Sequence, residues 1–198
     1  VLKTTNNGNN WYVVSSLNTS VLYDVYFVNN DTGWVCSTNT FEGGLWRTTN
    51  GGLNWQMQLN ASNRPSKIFF INSTTGFVIA NTGQNLYKTT NSGDNWFNLA
   101  GFGNNPLSDV FFETVDTGWT VNDIGSGSIS LMQTINGGGN WFAVNIPIIP
   151  SESRLFFINT KVGWAGSLYH KIYVTKDGYN WGTQYSPSNR SDNIYFAD

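Results

Sequence analysis

The sequence repeats one phrase that ends in tryptophan at nearly constant intervals. It reads LWRTTNGGLNW at 45–55, LYKTTNSGDNW at 86–96 and LMQTINGGGNW at 131–141. The repeated tryptophans are Trp11, Trp55, Trp96, Trp141 and Trp181, and the gaps between them are 44, 41, 45 and 40 residues. Such a period is typical of repeat architectures, in which each repeat forms one supersecondary unit and neighbouring units share a core.

Two further phrases keep the same order and spacing. An aromatic pair recurs in DVYFVN from Asp24, KIFFIN from Lys67, DVFFET from Asp109, RLFFIN from Arg154 and NIYFAD from Asn193. A glycine followed by Trp or Phe then appears in DTGWVCS, TTGFVIA, DTGWTVN and KVGWAGS. Because three phrases hold one register, each repeat is one copy of the same structural unit.

Each repeat predicts four short β-strands. The runs are rich in Val, Ile, Phe, Tyr, Trp and Thr, and clusters of Gly, Asn and Asp separate them. In the first strand Val25 and Phe27 share one face and Tyr26 lies on the other, so both faces are apolar, as in a sheet packed on both sides. Four-stranded sheets with this period predict an all-β chain of β-propeller blades.

The repeats divide the chain as one β-propeller region over residues 1–198. We expect complete blades at 21–61, 65–102, 107–147 and 152–187. Residues 1–18 carry only the third and fourth strands of a blade, and residues 188–198 only the first strand of a further or shared blade. This pattern predicts part of a longer array of about six to eight blades. The alternative is a closed ring of five blades with a defective last blade.

The repeated phrase resembles the Asp-box, or BNR repeat, Ser/Thr-x-Asp-x-Gly-x-x-Trp. The matching residues are Thr4, Asn6, Gly8 and Trp11; Thr48, Asn50, Gly52 and Trp55; Thr89, Asn91, Gly93 and Trp96; Thr134, Asn136, Gly138 and Trp141. A fifth, degenerate copy has Thr175, Asp177, Gly178 and Trp181, with one residue fewer between Asp and Trp. Over essentially the whole chain, the combined pattern looks most like the photosystem II stability/assembly factor type of propeller. It is more distantly similar to sialidase, xyloglucanase and sortilin propellers.

The chemistry of the phrase predicts a structural role. Glycine supplies a backbone angle that other residues resist, and an Asn or Asp side-chain oxygen accepts hydrogen bonds from nearby backbone N–H groups. We expect the tryptophan to fold under the turn and to fill the gap to the neighbouring blade. The regular copies have Asn where the family usually has Asp, which disfavours a metal site.

The resemblance implies that ligands meet the face opposite the boxes, built by the second-to-third-strand loops and the blade-to-blade loops. In this sequence those loops contain Phe41, Glu42, Arg64, Asn85, Phe102, Asp123, Tyr169, His170 and Arg190. Aromatic rings beside amides and carboxylates bind sugars by stacking and hydrogen bonding, and ordinary solvated loops have the same composition. A protein or glycan ligand is therefore expected, of unspecified identity.

The sequence gives little support for the catalytic residue sets of known hydrolases. A glycosidase needs two carboxylates close together, whereas Glu42 and Asp123, the carboxylates of these loops, lie two blades apart. A sialidase would need an arginine triad, but the arginines are only Arg47, Arg64, Arg154 and Arg190, and the first belongs to a predicted structural strand. The only histidine, His170, has no nucleophile elbow near it and no Cys/His spacing for zinc. We expect no enzyme activity, cofactor or metal.

Composition narrows the choice of partners. Charged residues make up 11% of the chain and the net charge is −2, which disfavours nucleic acid, and no apolar run is long enough to span a bilayer. The low charge and the abundance of Asn, Thr, Ser and Gly resemble extracellular bacterial repeat proteins. We therefore expect a secreted or cell-surface binding or scaffold module. The alternatives are a carbohydrate-active enzyme or lectin-like domain of the Asp-box glycosidase type, and an assembly factor for a membrane protein complex.

Two further features of the sequence lie outside the Asp-box-like phrases: a series of charged residues and a single cysteine. The residue two positions before each aromatic pair alternates in sign from blade to blade, as Asp24, Lys67, Asp109 and Arg154, with Asn193 last. We hypothesise that neighbouring members pair at the mouth of a central channel, within about 6 Å, each pair contributing about 0–1 kcal/mol. The lone cysteine, Cys36, lies in an apolar run and is predicted to be a buried core residue.

Overall fold

The computed structural model describes most of the chain. The described residues are 1–14, 17, 21–38, 43–60, 62, 64–80, 85–99, 102, 105–125, 128–149, 154–166 and 172–185. Within them the secondary structure is almost entirely β-strand, as the sequence predicts, and no helix is long and apolar enough to cross a membrane.

Four sheets have four antiparallel strands each, and each sheet is made of consecutive strands. The strands of blade 1 are β3 (Val21–Phe27), β4 (Gly33–Thr38), β5 (Gly44–Thr48) and β6 (Gln56–Asn60). Those of blade 2 are β7 (Lys67–Phe70), β8 (Gly76–Ala80), β9 (Asn85–Thr89) and β10 (Phe97–Leu99). Those of blade 3 are β11 (Leu107–Phe112), β12 (Gly118–Gly125), β13 (Ser128–Thr134) and β14 (Phe142–Ile149). Those of blade 4 are β15 (Arg154–Phe157), β16 (Gly163–Gly166), β17 (Ile172–Thr175) and β18 (Trp181–Tyr185).

A smaller sheet precedes blade 1. It pairs β1 (Leu2–Lys3) with β2 (Tyr12–Val13) and is called the half-blade below. The chain divides into two compact units, the first comprising Val1–Asn81 with Lys88–Phe97 and the second Thr82–Tyr87 with Asn98–Asp198. The first unit holds the half-blade, blade 1, β7 and β8, and the second holds blades 3 and 4.

The repeated glycine before Trp or Phe faces an aromatic ring on the strand beside it. In each blade it pairs with the second residue of the aromatic pair: Phe27 with Gly33, Phe70 with Gly76, Phe112 with Gly118 and Phe157 with Gly163. A Cβ at Gly33 or Gly76 would lie 2.5 Å from the nearest atom of that ring. The ring therefore occupies the space of the missing side chain, and glycine is required there for close approach.

The same phenylalanine joins two neighbouring sheets. In the first unit the ring of Phe70 stacks on Trp34 of blade 1, with centroids 3.7 Å apart and an interplanar angle of 17°. The ring of Trp96 meets Phe70 edge-on at 6.1 Å, and the hydroxyl of Tyr26 donates to the Phe70 carbonyl over 2.7 Å. Trp34, Phe70 and the neighbouring Cys36 are all buried.

The second unit repeats this packing. Phe157 of blade 4 stacks on Trp119 of blade 3 with ring centroids 4.0 Å apart, and Trp181 meets Phe157 edge-on at 5.7 Å. Trp119, Phe157, Trp181 and Tyr173 belong to one buried hydrophobic cluster. The inter-sheet core is therefore built twice from the same residue types.

The tryptophans that end the repeated phrases, called the box tryptophans here, were expected to fill the gap to the neighbouring blade. The structure meets this expectation only in part. The fully buried inter-sheet residues are the glycine-linked Trp34 and Trp119, whereas Trp55, Trp96 and Trp141 are half-buried and Trp11 is exposed. The reason is position: a box tryptophan precedes or begins the outermost strand, where solvent reaches one side, whereas Trp34 and Trp119 lie in second strands covered on both faces. Trp181 alone among the box tryptophans is buried.

A side chain in place of the glycine beside the Phe70 ring should destabilise the fold. Gly76→Ala should lower the free energy of unfolding by about 1–3 kcal/mol, because the new Cβ overlaps the Phe70 ring and forces the stack apart. Gly182→Ala in β18 is the matched control, since no atom lies within 4 Å of a Cβ there. Its expected change is below about 1 kcal/mol. Urea denaturation of both variants measures the difference, and equal effects would contradict the role assigned to Gly76.

Candidate functional site

The regular repeated phrases fold into loops with the same hydrogen bonds. In the loop of blade 2 the Thr89 hydroxyl accepts from the Gly93 N–H over 2.9 Å and donates to the Asn91 side-chain oxygen over 3.0 Å. That oxygen also accepts from the Asn95 N–H over 2.9 Å. Equivalent bonds form in the loops starting at Thr4, Thr48 and Thr134. The loops are called the Thr-x-Asn loops below.

A left-handed glycine closes each Thr-x-Asn loop. Gly8, Gly52, Gly93 and Gly138 have φ angles of 85°, 93°, 87° and 91°. A side chain would be strained at such an angle, and a Cβ at Gly93 would also lie 3.1 Å from the Trp34 indole nitrogen. The glycine thus lets the loop of blade 2 approach the buried tryptophan of blade 1.

The fifth loop uses a carboxylate for the same purpose. Asp177 accepts from the N–H groups of Asn180 and Tyr179 over 2.7 and 2.9 Å and from the Asn180 side-chain amide over 2.8 Å. The Thr175 hydroxyl donates to it over 3.1 Å. These bonds favour the ionised form, so they hold the pKa of Asp177 well below its ordinary value, with the Asn180 backbone contributing most.

The oxygens of these loops are engaged with backbone donors. Among the described residues no group of three or more His, Cys, Asp or Glu side chains could hold a metal ion. The structural role assigned to the loops stays a prediction, and the bonds observed are those that such a role requires.

Most of the predicted ligand face lies outside the described residues, so that face stays a prediction. Phe41, Glu42, Tyr169, His170 and Arg190 lie outside the described residues, and Asp123 is described only as a backbone position of β12. Arg64 is exposed, with a φ of 41°, and Asn85 begins β9.

Phe102 does not belong to an open ligand face. It is buried, and its ring lies 5.3 Å from that of Trp141. Phe102 follows β10 in the chain, and its apolar ring packs against Trp141, the residue before β14.

One pair of the alternating charges, Asp24 with Lys67, lies as close as hypothesised, and its carboxylate also makes a shorter bond. The Lys67 ammonium lies 3.7 Å from the Asp24 carboxylate, within the proposed limit. The shorter bond, 2.9 Å, is from the Ile68 N–H to the same carboxylate, which also accepts from the Val25 N–H over 3.0 Å. Asp24 therefore links the first strands of blades 1 and 2 through the backbone.

Asp109 makes the same link in the second unit. Its carboxylate accepts from the Leu155 N–H over 2.8 Å and from the Val110 N–H over 3.0 Å. A register shift between Leu107 and Asp109, matched by one between Leu22 and Asp24, forms the local irregularity at which each carboxylate sits. The side chains of Arg154 and Asn193 lie outside the described set.

An open cavity of about 570 Å³ lies between the half-blade and blade 1, and is called the slot below. It is lined by Val1, Leu2, Lys3, Thr4, Trp11, Val14, Leu22, Tyr23, Asp24, Val25, Phe27, Asn29, Asn30, Val35 and Gly51. Most of the wall is aliphatic or aromatic. Lys3 and Asp24 are the charged residues that line it.

The slot lies beside the half-blade, which has two strands among the described residues where the other sheets have four. Val25 and Phe27 of β3 are 55% and 38% exposed, whereas the matching residues of β7, Ile68 and Phe70, are 2% and 1% exposed. Trp11 is 59% exposed. Sequence reasoning missed this site.

Comparison with solved structures defines the class of fold. A structure described as YCF48 bound to D1 peptide is similar with a TM-score of 0.66 and 16% identity over 92% of this chain and 60% of the other. YCF48 from Cyanidioschyzon merolae gives a TM-score of 0.63 and 15% identity over 92% and 65%. The GH74 enzyme of Niastella koreensis gives 0.63 and 18% over 80% and 28%.

These similarities, and one to a GH74 xyloglucanase from Xanthomonas campestris, are to propellers of the photosystem II assembly-factor and xyloglucanase types, and the fold is a β-propeller of four-stranded antiparallel blades. The chain spans 60% and 65% of the length of the two YCF48 chains. Neither a protein-family model nor a curated protein sequence matches it. Because the similar structures include both an assembly factor and glycoside hydrolases, the fold alone does not decide between binding and catalysis.

The buried hydroxyl of the Thr-x-Asn loop can be tested directly. Thr89→Val should lower the free energy of unfolding by about 1–3 kcal/mol, because the Gly93 N–H loses its acceptor in a buried place. Thr90→Val makes the same chemical change at the exposed neighbouring residue and should alter stability by less than about 0.5 kcal/mol. Thermal and urea denaturation check both, and similar losses would contradict the structural reading of the loop.

The lowered pKa of Asp177 predicts a pH dependence. A carboxylate whose pKa is lower in the folded than in the unfolded state stabilises the fold above its unfolded pKa of about 3.9, and this stabilisation is lost as pH falls through the folded pKa. Asp177→Asn should therefore lower the melting temperature at neutral pH, and the deficit should shrink in acid. Asp116→Asn, at an exposed turn residue, controls for the change in net charge. A deficit that is the same at both pH values would contradict the prediction.

Proposed function

We propose that the protein is a non-enzymatic binding or scaffold propeller whose slot takes an extended polypeptide. The observation that supports the proposal is the apolar slot beside the edge of β1, because no strand among the described residues pairs with that edge. Extended peptides bind such edges by adding a strand, with backbone hydrogen bonds for affinity and side-chain pockets for specificity. The similar structure described as YCF48 bound to D1 peptide is a propeller in complex with a peptide.

The composition of the slot disfavours hydrolysis within it. Glycosidases need two carboxyl groups, and Asp24 is the one carboxylate among the lining residues. Its oxygens already accept the N–H groups of Val25 and Ile68. In this proposal Asp24 holds two sheets together and is not a general acid or base.

The wider assignments belong to the same proposal. We assign the Thr-x-Asn loops to the Asp-box class, as structural elements. We also place the protein outside the cell or on its surface, because its charge is low and its content of small polar residues is high. The similarity to YCF48 supports, as a second candidate, a role in assembling a membrane protein complex through the same polypeptide-binding slot.

Selection from a random-peptide phage library tests the proposal. Peptides should be enriched on the wild-type protein but not on Val25→Lys, which places a charge in the exposed wall of the slot. Leu53→Lys changes an exposed apolar residue that does not line the slot and should select the same peptides as the wild type. No enrichment, or equal enrichment on Val25→Lys, would contradict polypeptide binding at the slot. Release of reducing sugar from xyloglucan would contradict the non-enzymatic assignment.

A further inference from the structure

We propose that the Thr-x-Asn loops of blades 1 and 3 each carry a latent site of spontaneous deamidation, and that the first turn of the same blade controls its reactivity. The two sites are Asn50-Gly51 and Asn136-Gly137. Asparagine is thermolabile, and a following glycine has no side chain to obstruct the reaction. Both asparagine side chains are exposed. The proposal does not involve the slot and goes beyond the proposed function.

The reaction joins the backbone nitrogen of the glycine to the side chain of the asparagine. The nitrogen attacks Cγ, the bond from Cγ to the side-chain nitrogen breaks, and ammonia leaves with the proton of the glycine N–H. Water then opens the succinimide ring at either of its C–N bonds, which gives aspartate or isoaspartate. Nothing is oxidised or reduced and water is the co-reactant, so the rate depends on access to the glycine N–H.

In the folded chain this N–H is engaged at both sites. The Gly51 N–H donates to the Asp31 carbonyl over 2.8 Å. The Gly137 N–H donates to the Asp116 carbonyl over the same distance of 2.8 Å. Both glycines are buried, although the asparagines before them are exposed. Because the proton that must leave is held in a hydrogen bond and shielded from solvent, each site should react only when its loop opens.

The asparagine side chain is held as well. The Asn50 side-chain oxygen accepts from the Thr48 hydroxyl over 3.0 Å and from the Asn54 N–H over 2.9 Å. The Asn136 oxygen has equivalent bonds of 3.0 and 2.8 Å. Ring closure brings Cγ to covalent distance of the glycine nitrogen, so it moves this oxygen away from its donors. The bonds that form the loop therefore also oppose the reaction.

In blade 1 the turn between β3 and β4 positions the carbonyl that protects Gly51. The Asn29 side-chain oxygen accepts from the N–H groups of Asp31 and Thr32 over 2.9 and 2.7 Å. Bonds of this kind from a side chain to the following backbone fix a turn. Asn29 is therefore a positioning residue for the Asp31 carbonyl.

In blade 3 a hydroxyl has the same role. The Thr114 side-chain oxygen accepts from the N–H groups of Asp116 and Thr117 over 3.3 and 2.9 Å. It fixes the turn between β11 and β12, which supplies the carbonyl that binds the Gly137 N–H. The two blades thus protect their sites by the same arrangement with different side chains.

Blade 2 supplies an internal comparison. Its loop has Asn91-Ser92 at the equivalent place, and the Ser92 N–H donates to the Thr74 carbonyl over 2.9 Å. The φ angle of Ser92 is 62°, close to the 68° of Gly51 and the 66° of Gly137. The same hydrogen bond therefore forms without glycine, while the serine side chain obstructs ring closure. Asn91 is the matched control for the chemistry.

The two products affect the loop differently. Asp177 of the fifth loop accepts backbone N–H groups with a carboxylate, so an aspartate formed from Asn50 or Asn136 keeps the acceptor. Isoaspartate carries the chain through the former side chain and moves the oxygen away from its donors, so that loop cannot form again. Deamidation through isoaspartate is therefore a one-way step that marks a blade that has opened.

Incubation of the whole chain in mildly alkaline buffer, followed by peptide mass spectrometry, tests the sites. In guanidinium chloride Asn50 and Asn136 should deamidate at least about tenfold faster than in native buffer, because the native reaction needs local opening. In denaturant Asn91 should stay intact over the same period, and Asn7, in the remaining Asn-Gly step of the chain, should react as fast as the two sites. Equal rates at Asn50 and Asn136 in both solvents would overturn the inference.

Crossed variants test control by the turn. In native buffer Asn29→Ala should raise the rate at Asn50 about tenfold and leave Asn136 unchanged, because the turn of blade 1 loses two hydrogen bonds. Thr114→Val should do the reverse. Circular dichroism checks that both variants fold, and each site is the control for the other. No rise in either variant, or an equal rise at both sites, would overturn control by the turn.

The difference between the products is tested by substitution. Asn136→Asp keeps an acceptor for the Asn140 N–H and should retain the melting temperature of the wild type at neutral pH. Asn136→Ala removes the acceptor and should lower the melting temperature by about 2–4 °C. Equal losses would overturn the claim that the loop accepts aspartate. This outcome leaves polypeptide binding at the slot untouched, because that binding is measured by phage selection.

Discussion

The fold depends on a phenylalanine that touches three partners at once. Phe70 covers Gly76 in its own sheet, stacks on Trp34 of the preceding sheet and receives the edge of Trp96. Burying an aromatic side chain removes roughly 150–250 Å² from water, about 4–6 kcal/mol at 25 cal/mol per Å² as an upper bound. Phe70 belongs to the aromatic-pair phrase, Gly76 and Trp34 to the phrase with glycine before Trp or Phe, and Trp96 to the Thr-x-Asn phrase. The aromatic pair, the Gly-Trp step and the Thr-x-Asn loop therefore keep a common period.

A sheet of this kind cannot cover its own aromatic face. Phe70 and Phe157 are buried because a tryptophan of the preceding sheet lies on them, whereas Phe27 faces the two-stranded half-blade and stays partly exposed. The slot is thus the same kind of interface without a covering tryptophan among the described residues.

Polar side chains mainly hold the sheets and loops in place. Asp24 and Asp109 accept backbone N–H groups from the next blade, and the threonines and asparagines of the loops satisfy the turns. Polar side chains whose hydrogen bonds are satisfied rigidify a structure. The proposed binding role agrees with this use of polar groups.

The sequence by itself determined the strand content, the four-stranded sheets and the loop chemistry, because spacing, alternation and turn residues are local properties of the chain. It predicted a pair between Asp24 and Lys67 but not that the carboxylate binds the Ile68 N–H, since a strand bulge aims that side chain. It assigned the inter-sheet gap to the box tryptophans, and Phe102 to a ligand loop, because composition does not reveal which face of a residue is covered. Only the tertiary structure showed that Trp34 and Trp119 fill the interfaces and that Val25, Phe27 and Trp11 surround an open slot. Burial depends on which sheet lies alongside, and that neighbour is set by packing between repeats rather than by any one repeat.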